Sequence, residues 1–127
     1  MARVLIFLSL LFAIGFHMGV VSAAEPSFPA LTGRVVDDAH ILDAAARAAI
    51  ERKLAAFETK SGRQVVVATL PSLQGYEIED YGYRLGRHWG IGEKGSNNGA
   101  LLIVAPNERR VRIEVGYGLE GTLTDAV

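Results

Sequence analysis

Cysteine is absent from all 127 residues. That rules out disulfides, thiol nucleophiles and cysteine-ligated metals, so the folded part rests on a packed core alone. Charge of one sign is also lacking. Thirteen Lys and Arg face fourteen Asp and Glu, for a formal net charge of −1. No basic cluster is dense enough to grip a phosphate backbone, which excludes a nucleic-acid-binding role. The three histidines, His17, His40 and His88, have no H-E-x-x-H spacing, so no zincin site is encoded. No serine sits in a G-x-S-x-G elbow; Ser61, Ser72 and Ser96 fall in loops. No Gly-Lys-Ser/Thr follows a glycine-rich loop, and so there is no phosphate loop.

Long apolar runs are missing with one exception. Val4 to Val21 is interrupted only by Ser9, Gly15, His17 and Gly19, behind the single cation Arg3. Val21-Ser22-Ala23 and Ser22-Ala23-Ala24 both fit the small-x-small rule of a signal peptidase site. Residues 1–24 therefore read as a signal peptide, and the chain as exported. About 18 apolar residues also approach a membrane span, so an uncleaved anchor is the alternative.

After this segment, Pro26, Pro29 and Gly33 mark residues 25–33 as an extended linker. The spacing predicts a first helix from about Asp43 to Lys60. Asp43 is its N-cap, Ile50, Leu54 and Phe57 share one face, and Gly62 follows the end. Gln64–Leu70 is a short β-branched run, expected as a buried strand covered on both sides. A second helix is expected over Ile78–Trp89, with Ile78, Tyr81, Leu85 and Trp89 on its core face. Gly82 and Gly86 lie inside it. Each costs about 1 kcal/mol against alanine, so a close approach to a sheet is expected there.

Ala100–Ala105 reads as another buried strand. Arg110–Tyr117 alternates, with Val111, Ile113 and Val115 on one side and Arg110, Arg112 and Glu114 on the other. These two strands are expected to pair as a hairpin, the second near an edge. The order of elements predicts an α/β/α sandwich with a small mixed β-sheet.

Two segments match G-x-G-x-x-G: Gly90/Gly92/Gly95 and Gly116/Gly118/Gly121. The first follows a helix and the second a hairpin strand, so neither has the strand-to-helix setting that dinucleotides require. No nucleotide is expected. Oxygen ligands are better represented. Asp37, Asp38, Asn97, Asn98, Glu120 and Asp125 all fall in loops next to predicted strand or helix ends, as hard cations prefer. The same residues also suit N-caps and Asx turns. Glu77, Glu79 and Asp80 suit the positive end of the second helix. Arg84, Arg87, Arg109, Arg110 and Arg112 form either an anion-binding set or a solvated face.

Four segments carry a resemblance. They are RVVDDAHIL from Arg34 to Leu42, YGYRLGRHWGIG from Tyr81 to Gly92, NNGALLIV from Asn97 to Val104, and GYGLEGTLTDA from Gly116 to Ala126. In this order they resemble the signature of the TPM domain family. The resemblance implies an exported or membrane-tethered accessory module, with a membrane protein or membrane complex as partner. It implies a divalent-cation site, calcium for instance, at Asp37, Asn97 and Asp125. Asn97 stands where the family often has Asp, which removes a charge and weakens affinity. Phosphatase activity has been attributed to family members, so a metal-assisted phosphatase of low specificity is the alternative, and a calcium-responsive binding domain a third reading. No catalytic residue is assigned. The family domain also continues through further helix, where this sequence stops soon after a helix start at Thr124 and Asp125.

Overall fold

The computed structural model describes residues 25–91 and 99–116. The proposed signal peptide and Asn97, Asn98, Tyr117, Glu120 and Asp125 lie outside the described residues.

The order of elements is β1 (Val35–Asp37), α1 (Ala44–Ser61), β2 (Val65–Thr69), α2 (Ile78–Trp89), β3 (Ala100–Ala105) and β4 (Arg110–Val115). They form one sheet in the order β1-β2-β3-β4. β1, β2 and β3 run parallel, and β4 returns antiparallel to β3. This is the mixed sheet of an α/β sandwich, as the sequence predicts. β1 is a strand that the sequence pattern does not reveal. Three residues are too few to show a period. It exists because Val67 N–H donates to the Arg34 carbonyl (2.8 Å) and Asp38 N–H to the Thr69 carbonyl (3.1 Å).

α2 packs on β3 and β4. Ile78, Tyr81 and Leu85 of α2 are buried with Val66, Ala68, Leu70, Leu101 and Ile103 in the main apolar cluster. α1 lies against β1 and β2 and gives no residue to that cluster. Asp43 caps α1 by accepting the Ala46 N–H at 2.7 Å, and left-handed Gly62 ends it. Its expected apolar face is only partly used. Ile50 and Leu54 are half-buried, while Phe57 is 45% exposed. The cover over β2 is uneven for the same reason: Val66 and Ala68 are buried on the α2 side, and Val65 and Val67 are half-buried on the other.

The two helix glycines behave differently. A Cβ on Gly82 would stand 2.7 Å from Cδ1 of the fully buried Ile103. A Cβ on Gly86 would make ordinary contacts at 3.8 Å with Glu114 and 4.0 Å with Leu101. Gly82→Leu is therefore expected to overpack the α2–sheet seam and cost about 1–3 kcal/mol. Gly86→Ala is expected to stabilise by up to about 1 kcal/mol through helix propensity. Urea denaturation of both variants checks this; equal effects at the two positions would contradict the close-approach account.

Candidate functional site

In an open α/β sheet, ligands gather where parallel strands end. Here β1 and β2 end at Asp37–Asp38 and Thr69–Leu70. The Asp37 carboxylate is bound within its own loop. Oδ1 accepts the Thr69 hydroxyl (2.6 Å) and the Ile41 N–H (3.1 Å), and Oδ2 accepts the Leu42 N–H (2.9 Å). Thr69 Oγ1 in turn accepts the Ala39 N–H at 3.1 Å. Together they fold the D-D-A-H-I-L loop back on itself, with His40 held in the left-handed region at φ 55°. Partial burial works to raise the Asp37 pKa, but the bonds from Thr69, Leu42 and Ile41, with help from His40, outweigh it and hold the pKa below 3.8.

A depressed carboxylate pKa contributes stability above the unfolded value and loses it as pH falls through the folded one. Asp37→Asn is therefore expected to cost about 1–3 kcal/mol at neutral pH, since an amide cannot accept all three bonds. The deficit should shrink as pH drops below about 4. Thermal melts of both proteins from pH 7 to pH 3 measure it. A pH-independent difference would contradict this role.

Next to this loop is a cavity of about 220 Å³, lined by Phe28, Pro29, Asp38, Leu70, Ser72, Gln74 and Tyr81 among others. Its wall is the segment ahead of β1. Residues 25–33 form neither helix nor strand, and their first part is fastened to α2 and its approach. Ser27 N–H donates to Gln74 Oε1 (2.8 Å), and Gln74 Nε2 and the Tyr81 hydroxyl donate to the Ser27 carbonyl (2.7 and 3.1 Å). Trp89 Nε1 donates to the Pro29 carbonyl at 2.9 Å. Phe28 meets Tyr81 edge-on at 5.4 Å and lies 4.9 Å from the His88 ring. Glu25 pairs with Arg84 at 3.1 Å. Burial, reinforced by Asp38, pushes the Tyr81 hydroxyl up to about 12. The opposite wall is tied to the β3–β4 turn: Glu108 accepts the Leu73 N–H (2.6 Å) and Asn107 Nδ2 donates to the Pro71 carbonyl (2.8 Å). The result is a small hollow of mixed lining, with one carboxylate, three hydroxyls and an amide.

Of the expected cation ligands, Asp37 alone lies among the described residues. Asp37 aligns with Thr69 and Val104 at one end of the sheet. At the other end, Gly116 N–H donates to the Gly99 carbonyl at 2.8 Å. Asn97 and Asp125 themselves lie outside the described residues. Among the described residues no three His, Asp or Glu side chains gather as metal ligands would. The arginines are not one anion-binding set either. Arg84 pairs with Asp80 and Glu25, Arg87 stacks on Tyr83, and Arg112 pairs with Glu114. Glu79 and Asp80 occupy the first turn of α2, where its dipole favours them. Among the described residues no helix is long and apolar enough to cross a membrane.

Gln74, Ser27 and Thr69 were not singled out by sequence reasoning. Gln74 carried one weak signal, its place before Gly75 in a turn, and both residues adopt positive φ.

The family profile of the TPM domain matches residues 35–127, from the first residue of β1 to the C-terminus. The chain belongs to the TPM domain family. The chain is also similar to solved structures. The N-terminal domain of a protein from P. gingivalis is 40% identical, with a TM-score of 0.68, over 75% of this chain and 60% of that one. The N-terminal domain of the cg2496 protein from Corynebacterium glutamicum is 21% identical, with a TM-score of 0.60, over 84% of this chain and 65% of that one; it shows the shared fold. This TPM chain thus spans less than two thirds of either solved domain. No curated protein matches it.

Proposed function

We propose that this TPM-domain chain is an exported binding module that acts at or near a membrane complex, holding a segment of a membrane protein rather than turning over a substrate. The observation that carries the reading is the hollow at the ends of β1 and β2. Phe28, Pro29, Leu70 and Pro71 supply apolar surface and Asp38 and Ser72 polar groups, a mixture that suits a short peptide segment. The wall of the hollow includes Ser27, Phe28 and Pro29, which follow closely on the proposed cleavage site, so processing at Ala24 would leave them near the new N-terminus. Asp38 is the one carboxylate in the lining, and the adjoining Asp37 already accepts three hydrogen bonds within its loop, which favours binding over the metal-assisted phosphatase reading. The calcium-binding part of the proposal rests on Asp37, Asn97 and Asp125, as the family resemblance implies.

Cell fractionation with N-terminal mass spectrometry tests export. The expected result is a chain starting at Ala24 or Glu25, outside the cytoplasm and co-fractionating with membranes. Intact Met1 on soluble cytoplasmic protein would overturn the proposal.

A further inference from the structure

The sheet has two edges, and they are treated differently. On β1 the outward N–H of Val35 donates to Glu51 Oε2 at 2.9 Å, and the adjoining Arg34 N–H to Glu51 Oε1 at 3.0 Å. α1 therefore blunts that edge. Among the described residues nothing pairs with the outer side of β4. An open edge is a template for another strand.

The register of β4 states which strand fits. Gly116 N–H bonds the Gly99 carbonyl, so the hydrogen-bonded pairs of the β3–β4 ladder are Leu101–Glu114, Ile103–Arg112 and Ala105–Arg110, two residues apart. The intervening Val111, Ile113 and Val115 then turn their N–H and C=O groups outward. A second β4 laid antiparallel with Ile113 facing its own copy satisfies all of these outward groups, because Val111 then faces Val115. The side chains agree with the backbone. Val111 (63% exposed), Ile113 (47% exposed) and Val115 meet only apolar partners on one face. Arg112 meets the copy's Glu114 on the other. A shift by one residue would set outward groups against inward ones and charges against apolar side chains.

α2 is compatible with the same axis. Gly82 and Gly86 seat it over the seam between β3 and β4, at the levels of Arg112 and Glu114. Tyr81 and Leu85 turn to the core, so Tyr83, 53% exposed, rises on the flank beyond β4. The twofold brings Tyr83 towards its copy.

The geometry points to a second copy of this chain as the partner of the β4 edge, in a twofold dimer with a continuous eight-stranded sheet centred on Ile113. Self-complementarity carries this: one patch matches itself in hydrogen bonds, apolar contacts and charge.

The absence of cysteine makes the test direct. The full chain is expressed with Ile113→Cys and treated in cells with a short bismaleimide. Directly opposed residues lie about 5 Å apart at Cβ, so a cross-linked homodimer is expected. Arg52→Cys on the exposed side of α1 is the control and should give at least several-fold less. Co-expressed Val111→Cys and Val115→Cys chains should cross-link to one another, which fixes the register. In the Ile113→Cys background, Arg112→Glu should cut the yield several-fold, and adding Glu114→Arg should restore it. Cross-linking at Ile113→Cys no stronger than at Arg52→Cys, an adduct with a different protein, or a yield indifferent to the charge swaps would each overturn the dimer.

Discussion

Tyr81→Ala is expected to be among the most destabilising single substitutions in this domain, at about 3–5 kcal/mol. Tyr81 is 1% exposed and one of the largest fully buried side chains. Its ring joins the α2 cluster to Phe28, and its hydroxyl holds the Ser27 carbonyl at 3.1 Å. The alanine variant loses both and leaves a cavity under the strap. Tyr81→Phe separates the two contributions. It keeps the ring, loses one hydrogen bond, and should cost about 1 kcal/mol. Chemical denaturation gives both values.

The alkaline titration provides a second readout. Burial, aided by Asp38, raises the Tyr81 pKa to about 12, so the fold favours the neutral phenol. That contribution is fully present below pH 10 and is lost as pH rises through about 12. Ultraviolet titration should show a late-ionising step that is absent from Tyr81→Phe. A phenol at Tyr81 titrating near 10 would contradict its place in the core.

Glu51→Ala is expected to cost about 2–4 kcal/mol, even though no residue of α1 is fully buried. One carboxylate accepts two backbone N–H groups of the β1 edge, and it faces the Arg34 guanidinium at 3.6 Å. Its removal leaves two backbone donors, at Arg34 and Val35, without their acceptor at the edge of a three-residue strand. Glu51→Gln keeps one carboxyl-type oxygen and should fall between wild type and alanine. Hydrogen exchange at Val35 should rise in both variants, while exchange at Leu101 in β3 follows global stability only. Unchanged protection at Val35 would contradict the edge-covering role.

The elements that strong local signals encode were legible. Residues 78–89 carry four core positions at helical spacing and end before a left-handed glycine, and α2 occupies that span. Asp43 is a cap in sequence and in structure. The close approach expected at Gly82 is met at Ile103, because only a residue without Cβ lets the helix backbone come that near. What stayed hidden depends on contacts far apart in sequence. β1 has no period of its own and is defined by β2, about thirty residues later. Phe57 fits the apolar stripe of α1 but faces outward, because α1 sits over β1 and β2 rather than across the whole sheet. The strap looked like plain linker, since Ser27 and Phe28 acquire their roles only through Gln74, Tyr81 and His88.

The candidate site was half legible. Asp37 stood out as a loop carboxylate, but its partner Thr69 lies inside a strand whose pattern reads only as apolar. Residue type alone could not separate a cation ligand from a loop-forming acceptor.

The hollow by the strap is proposed to hold a segment of a membrane protein. Site-specific photo-cross-linking from Ser72, on its rim, tests this most directly. The account predicts a discrete adduct with a membrane-fraction protein, lost in Gln74→Ala, which releases the strap, and retained in Glu79→Ala on the far flank of α2. The absence of any such adduct, together with metal-dependent phosphate-ester hydrolysis by the purified chain, would contradict it.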